Sequence, residues 1–197
     1  MSDPFASSND ADVKRLVDEN PLGWIISTAA PHLATPMPLM LECDDSGKPA
    51  TILGHLPRAH PLCAALFTDP GVQLLFQGPH AYITPEWLAD KNWAPTWNFV
   101  IAKLAGQLSF DETLTDDVLS RLVAHMEAQR SAPWSIAALG GRYQDLRSRV
   151  IGFTVAITHV EGRFKLGQDE RPAVFDQIVA GLAGDPLATW MERFRSR

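Results

Sequence analysis

The sequence predicts a mainly β fold with peripheral helices, built as an antiparallel barrel or sandwich. Four or five apolar, strand-like runs occupy the first hundred or so residues, and short, mostly hairpin-like connections join them. The turn signal Asp44–Gly47 separates two of these runs and predicts a hairpin. Long helical periodicities come mostly after these runs, so strands and helices do not alternate as they do in parallel sheets.

The N-terminal half begins with a loose arm, residues 1–9, and a short helix from Asp10 that Pro21 ends. Runs rich in large apolar and β-branched residues then predict strands, at Leu22–Thr28, Leu33–Cys43, Ala50–Leu56 and Val72–Gln77. Between the last two strands, a helix is expected to start near Ala59–Pro61.

The chain is organised around Val72–Leu108, in which two apolar runs flank a segment dense in aromatic side chains. The segment between the runs is predicted to be a loop, and it carries Pro79, His80, Tyr82, Trp87, Trp93, Pro95, Trp97 and Asn98. Aromatic rings concentrated between two strands indicate a flat apolar ligand, a partner subunit, or both. The alternative is a long loop whose aromatic residues pack against the protein's own core.

In the C-terminal half, the strand Trp97–Phe110 is expected to end near Gly106, and an amphipathic helix follows at Thr115–Gln129. Thr113 or Thr115 is the expected cap of that helix. Val150–Val160 alternates like a strand, and Glu161-Gly162 is expected to turn it. Two further helices close the chain, at Ala173–Ala183 and Leu187–Phe194.

The composition narrows the possible partners. The formal net charge is −6 and the seventeen Lys and Arg residues are scattered, which argues against a broad nucleic-acid interface. Arg142–Arg149 is the only locally basic, helix-like stretch, and a solvated face is the favoured interpretation. With no secretory signal or membrane-spanning run in the sequence, a cytoplasmic protein is expected.

The sequence gives little support for a metal site or for a catalytic nucleophile. The six His form no HExxH or HxH pair, and Cys43 and Cys63 have no ligand spacing, so no metal site is expected. Cys63 lies on what is predicted to be an apolar helix face, which indicates a buried structural thiol. No catalytic residue can be named.

Phosphate binding is a stronger possibility, in the segment Gly54–Pro61. This segment supplies His55, Arg58 and His60 where a strand gives way to a helix. Donors at a helix N-terminus beside a guanidinium form a workable anion site. The alternative is that Arg58 only caps or solvates a bend.

A second polar group, Phe164–Gln168, follows the long strand. Lys165 and Gln168 could hydrogen-bond the carbonyl groups of a heterocycle, or they could form a solvated hairpin end. The Gln77-Gly78-Pro79 bend could similarly bring backbone against a ligand or be a simple bulge.

Five long segments stand in this order along the chain: TPMPLML (Thr35–Leu41), GHLPRAHP (Gly54–Pro61), FQGPHAYITPEW (Phe76–Trp87), APTWNFV (Ala94–Val100) and IGFTVAITHVEGRFKLGQ (Ile151–Gln168). Together they resemble the PaiB-like family of FMN-binding negative transcriptional regulators. The resemblance implies a six-stranded antiparallel split barrel, similar to pyridoxamine-phosphate oxidase. It implies one domain over residues 1–197, with helical insertions around 115–148 and C-terminal helices at 173–194.

The resemblance also implies a homodimer that holds FMN at the subunit interface. The cofactor-binding residues that it implies are His55, Arg58, His60, Gln77, Tyr82, Trp97, Asn98, Lys165 and Gln168. Any enzyme activity is then expected to be at most that of a flavin-dependent oxidoreductase. The alternatives are a regulator that acts through a protein or DNA partner without flavin, and a haem-binding split barrel with His80 or another His as axial ligand.

Overall fold

The computed structural model describes residues 5–6 and 9–195, so most of the predicted N-terminal arm lies outside the described residues. The strands are β1 (Leu22–Ser27), β2 (Ala34–Pro38), β3 (Met40–Cys43), β4 (Pro49–Pro57), β5 (Gly71–Ile83), β6 (Thr96–Phe110) and β7 (Val150–Lys165). The α-helices are α1 (Asp10–Glu19), α2 (Pro61–Thr68), α3 (Thr115–Glu127), α4 (Arg142–Arg147), α5 (Pro172–Gly181) and α6 (Pro186–Phe194). Short 3₁₀ turns lie at Pro85–Trp87, Glu112–Leu114 and Ile136–Leu139.

The described strands form one antiparallel sheet in the order β2-β1-β5-β6-β7-β4-β3. The antiparallel architecture is as predicted, but the sheet has seven strands and no pairing closes it, so the closed six-stranded barrel is not shown. The edge strands β2 and β3 are separated in the chain by Leu39 alone, which is fully buried. The sheet must therefore curl until its two edges approach each other at Leu39.

The segment predicted as one strand, Leu33–Cys43, is two strands because of its prolines. Pro38 has no N–H to donate to a ladder, so pairing with β1 ends there. The Leu39 N–H instead donates to the Pro21 carbonyl at 2.8 Å, and β3 then pairs with β4 on the other side of the sheet.

The two longest strands continue past the predicted breaks. Glu161-Gly162 does not turn the chain, because Glu161 lies opposite Lys103 in the β6–β7 ladder and pairs with its ammonium at 2.8 Å. Gly106 does not end β6 but lies at a bulge, where the register shifts. A Cβ at Gly106 would lie 2.3 Å from the Ala156 carbonyl oxygen, so this close approach requires glycine.

Helix α3 begins differently from the prediction. Neither Thr113 nor Thr115 caps it, because the N-cap position is Leu114 and has no side-chain bond. The Thr115 hydroxyl oxygen instead accepts the Gly152 N–H at 3.0 Å, which attaches the helix to β7. Val118 and Leu122 pack with Leu53 in a small second core, whereas Met126, in the last turn of the same helix, is exposed.

The main core lies between the inner face of the sheet and helices α1, α5 and α6. Its helical contribution includes Leu16 and Val17 from α1, Ile178 from α5, and Trp190 and Met191 from α6. The opposite side of β1, β5 and β6, termed the outer face, keeps large apolar side chains partly or largely exposed. They are Leu22, Trp24, Leu75, Tyr82, Trp97 and Ile101. No described helix is long and apolar enough to cross a membrane.

Candidate functional site

The aromatic residues that were predicted in one loop divide into two groups. Tyr82 and Trp97 lie on strands, directly opposite each other in the β5–β6 ladder, with ring centroids 5.9 Å apart in an edge-to-face arrangement. They are 48% and 53% exposed. These rings belong to the outer face: the loop prediction is wrong for Tyr82, and Trp97 lies in β6 as the strand prediction Trp97–Phe110 had it.

Trp87 and Trp93 remain in the connection between the strands, and they contact the C-terminal region. A Cβ at Gly181 would lie 2.3 Å from the Trp87 ring, so the absence of a side chain there lets Trp87 pack on α5. The Arg171 guanidinium carbon lies 5.3 Å from the centroid of the Trp93 ring. For these two residues, attachment to the protein's own surface is the correct interpretation.

Polar groups surround the exposed rings. The His80 ring is stacked beside Trp97 with centroids 6.1 Å apart, and the Gln77 amide nitrogen lies 3.0 Å from His80 Nδ1. Both residues flank the β5 bulge, where the ladder shifts between Gln77 and His80. The Lys165 ammonium, on β7, donates to the Thr96 hydroxyl next to Trp97. We term Gln77, His80, Tyr82, Trp97 and Lys165 the aromatic end.

Two predicted site residues turn away from this surface. Asn98 follows Trp97 on β6 and therefore points inward, where it is 2% exposed and its Nδ2 donates to the Met191 sulfur at 3.6 Å. Gln168 closes the turn after β7, since its side chain accepts from the Leu166 N–H and donates to the Phe164 carbonyl. Their hydrogen bonds support the fold next to the aromatic end.

The predicted phosphate-binding segment has the expected local structure. His55 lies on β4 opposite Gly152, and His60 is the N-cap of α2, where its Nδ1 accepts the Leu62 N–H at 3.1 Å. Arg58 lies between them, and its Nε donates to the Ser148 carbonyl at 3.1 Å. We term His55, Arg58 and His60 the strand-end cluster.

An ion-pair network already occupies the Arg58 guanidinium. Arg58 and Arg147 both pair with the Glu112 carboxylate, and Arg147 also contacts Asp116. Hydrogen bonds from these two guanidinium groups lower the pKa of Glu112. The network connects the helical region after β6 to the end of β4.

The Tyr143 hydroxyl extends the network, since it donates to Asp116. Burial and this hydrogen bond raise the pKa of Tyr143 to about 12, so the phenol stays protonated near neutral pH. The carboxylates of Glu112 and Asp116 therefore balance the positive charges of Arg58 and Arg147.

The His55 imidazole differs from its neighbours. Its Nδ1 is buried and has no hydrogen-bond partner among the described residues. Burial lowers the pKa of His55, which favours the neutral ring. A buried ring nitrogen without a hydrogen-bond partner lowers the stability of the folded protein. A further hydrogen-bonding partner would therefore stabilise His55 more than any other group of this strand end.

The structure separates the aromatic end from the strand-end cluster. His55 lies opposite Gly152 near the start of β7, whereas Lys165 is the last residue of the same strand. Thirteen residues of strand at about 3.3 Å each correspond to roughly 40 Å along the strand. One FMN molecule is much shorter than this length of strand, so the two groups are not brought together within one copy of the chain.

Two concave regions lie at the sheet. A cleft of about 620 Å³ lies beside the β5 bulge, between the end of α1 and the start of α6, and its lining includes His80, Glu19 and Arg193. A smaller depression of about 270 Å³ lies on the outer face between Lys103 and Leu75. Among the described residues, no group of three or more His, Cys, Asp or Glu is placed to hold a metal ion.

Of two residues at these surfaces, Trp24 was not proposed as a cofactor-binding residue from the sequence, and His80 was named only as one possible haem ligand. Trp24 is 47% exposed on the outer face, opposite Leu75. The alternation of Leu22, Trp24 and Ile26 with Gly23 and Ile25 could have predicted this, because side chains in a strand point alternately to opposite faces. His80 had no comparable signal, since its position depends on the bulge.

The chain is similar in sequence to a known protein family and to a bacterial relative. The model of a family described as "Putative FMN-binding domain" matches residues 1–159. The Bacillus subtilis (strain 168) protein named "Protease synthase and sporulation protein PAI 2" is 24% identical over 185 residues, which cover 92% of this chain and 87% of that protein.

Solved structures show the same fold at low sequence identity. The FAD and heme binding protein from Mycobacterium smegmatis is 15% identical, with a TM-score of 0.64 over 90% of this chain and 80% of that one. The flavocytochrome Anf3 from Azotobacter vinelandii is 17% identical, with a TM-score of 0.57 over 81% of this chain and 69% of that one.

Proposed function

Because this chain belongs to the family described as "Putative FMN-binding domain", we propose that it binds FMN in a site shared between two copies of the chain. The two copies form a homodimer through their outer faces, and each contributes one half of each site. Each copy is a single domain over residues 1–197. Any activity is that of a flavin-dependent oxidoreductase.

The separation of the two residue groups carries this proposal. The strand-end cluster and the aromatic end lie about thirteen strand residues apart, with exposed apolar side chains on the outer face nearby. A two-fold axis through that face reverses the direction of the second copy. The strand-end cluster of one protomer is then expected beside the aromatic end of its partner.

Each group suits one part of FMN. The rings of Tyr82 and Trp97 offer a half-exposed apolar surface for the flat isoalloxazine, and Gln77 and Lys165 offer hydrogen-bond donors beside it. His55, Arg58 and the start of α2 suit the phosphate. The bound flavin would supply the redox chemistry, while the protein positions and shields it.

Glu112 sets a condition on phosphate binding. Its carboxylate now contacts the Arg58 guanidinium, so a phosphate would have to share Arg58 with Glu112 or displace it. Both groups of the ion pair are substantially solvent-exposed, and such pairs contribute little to stability, which makes the exchange feasible. Arg147 remains as a second partner for Glu112.

Mixed dimers test the shared site. Arg58→Ala and Trp97→Ala homodimers are each expected to bind FMN about ten-fold more weakly or worse, because each loses one anchoring contact from both sites. A heterodimer of the two variants has one doubly altered site and one intact site. It is expected to bind one FMN per dimer with the wild-type affinity, measured by flavin fluorescence quenching.

Matched controls are available on the helical region. Arg142→Ala and Trp134→Ala remove the same side-chain types from exposed positions away from both groups and should leave FMN affinity unchanged. A wild-type protein that binds no FMN at micromolar concentration would contradict the flavin proposal. Weak binding by the heterodimer at both of its sites would contradict the sharing of the site between copies.

Haem is a second candidate ligand, and the position of His80 favours it. This imidazole lines the 620 Å³ cleft and stacks beside Trp97, and planar cofactors prefer such sites. Haemin titration is then expected to give a Soret band that His80→Ala shifts or abolishes, whereas His159→Ala on the outer face leaves it intact. A Soret band that is the same in all three proteins would exclude His80 as the ligand.

A further inference from the structure

The segment Phe5–Ala6, termed the strap, lies along one edge of β7. The Phe164 N–H donates to the Phe5 carbonyl at 2.8 Å, and Ala6 forms an isolated antiparallel bridge with Arg163. Strand β4 pairs with β7 only as far as Ala156, so the strap lies beyond the end of that pairing. It thereby protects a length of strand edge that β4 does not cover.

The Phe5 ring lies against two cations of the outer face. Its centroid is 5.5 Å from the Arg163 guanidinium carbon and 5.9 Å from the Lys165 ammonium. Arg163 and Lys165 lie two residues apart on β7, so both side chains leave the same face of the sheet and their like charges repel. The electron-rich face of the ring attracts both cations and holds them in place.

Lys165 is consequently restrained from two sides. The Phe5 ring lies near its ammonium, which also donates to the Thr96 hydroxyl, one residue before Trp97. A lysine side chain has four rotatable bonds and would otherwise sample many positions around the aromatic end. The contacts hold its charge at the start of β6, beside Thr96.

We propose that Phe5 is a positioning residue for Lys165, and that the strap thereby fixes the positive charge beside the flavin. The inference rests on the proposed function, because the flavin site at the aromatic end is itself a proposal. A fixed cation stabilises the flavin form that carries more negative charge, so it raises the midpoint potential. Phe5 acts on the flavin only through Lys165.

The first test needs no cofactor. In Phe5→Leu, which keeps apolar bulk but removes the ring, acetylation of Lys165 by acetic anhydride should rise about two- to five-fold relative to Lys103. Phe5→Tyr keeps the ring and should label like the wild type. Mass spectrometry of the peptides measures the ratio, and an unchanged ratio in Phe5→Leu overturns the proposal.

The second test measures the midpoint potential of the flavin-loaded protein. Phe5→Leu and Lys165→Met are each expected to lower it, Phe5→Tyr to preserve it, and the double variant Phe5→Leu/Lys165→Met to match Lys165→Met alone. A lowered potential in Lys165→Met with a wild-type potential in Phe5→Leu overturns the positioning role. A wild-type protein that takes up no flavin refutes the proposed function instead, and the acetylation ratio still decides whether Phe5 positions Lys165.

Discussion

The strand-end cluster and the aromatic end use their side chains in opposite ways. At the strand end, the Arg58 guanidinium is already paired with Glu112, and His60 caps a helix. At the aromatic end, about half of each of the Tyr82 and Trp97 side chains stays in contact with water. Apart from the His55 Nδ1, the first region pairs its polar side chains internally, whereas the second leaves apolar surface uncovered.

This difference shows where binding energy is available. Exposed ion pairs contribute little free energy, so exchanging one partner for another gains little. Because Arg58 is already paired, the strand end can bind an anion only by giving up an existing contact. Covering an exposed aromatic ring contributes about 1.5–3 kcal/mol, with no internal bond to break first. We therefore expect substitutions on the outer face to have larger effects on dimer assembly than substitutions at the strand end.

The largest effect is expected from a charge placed on the outer face. Trp24→Glu would bury an unpaired carboxylate in the proposed dimer interface, so it should weaken dimerisation about 100-fold or more and abolish FMN binding as well. The monomer should remain folded, because Trp24 lies outside the core. Sedimentation equilibrium measures the dimer dissociation constant.

Met126→Glu is the control for adding a charge at an exposed apolar position, since Met126 is 54% exposed on α3. It should leave the dimer unchanged. A wild-type monomer, or a Trp24→Glu dimer as tight as the wild type, would contradict an interface on the outer face.

Much of the sheet could be predicted because local signals and tertiary structure agree. Asp44–Gly47 turns the chain between β3 and β4, and Ile151, Phe153 and Val155 alternate into the core. The Glu161-Gly162 signal failed because its turn propensity is overridden by the ladder with β6, in which Glu161 faces Lys103. Tertiary context decided the structure there.

The candidate site was less predictable, because its geometry depends on residues distant in sequence. The Arg58–Glu112 pair spans 54 positions, and nothing near Arg58 in the chain indicates that its charge is balanced. The exposure of Tyr82 and Trp97 follows from the register of β5 with β6, which the loop prediction did not include. Residue types at the site could be named from the sequence, but not their partners.

An intermediate effect is expected from two neighbouring residues with opposite orientations. Trp97→Ala should raise the dissociation constant of FMN about ten-fold, and should change the free energy of unfolding by less than about 1 kcal/mol. Asn98→Ala removes a buried hydrogen bond to Met191 and should lower the free energy of unfolding by about 1–2 kcal/mol. Its FMN affinity should stay within about two-fold of the wild type.

Urea denaturation and FMN titration of the same two variants provide the comparison. If Asn98→Ala weakens FMN binding as much as Trp97→Ala does, then Asn98 contacts the ligand and the inward orientation does not describe the bound state. If neither affects binding, the aromatic end is not part of the flavin site.

The smallest effect is expected at the strand end, from the titration of His55. Burial lowers its pKa in the folded protein, so the unfolded chain binds this proton more readily than the folded one. The free energy of unfolding is therefore intact above the unfolded-state pKa of about 6.5. It falls as the pH drops below that pKa, until the lowered folded-state pKa is passed.

His55→Gln removes this titrating group, so its free energy of unfolding, measured in urea between pH 8 and pH 5, should depend less on pH than that of the wild type. His32→Gln, at an exposed position, controls for the loss of a histidine and should keep the wild-type dependence. Equal slopes in all three proteins would contradict the lowering of the His55 pKa by burial.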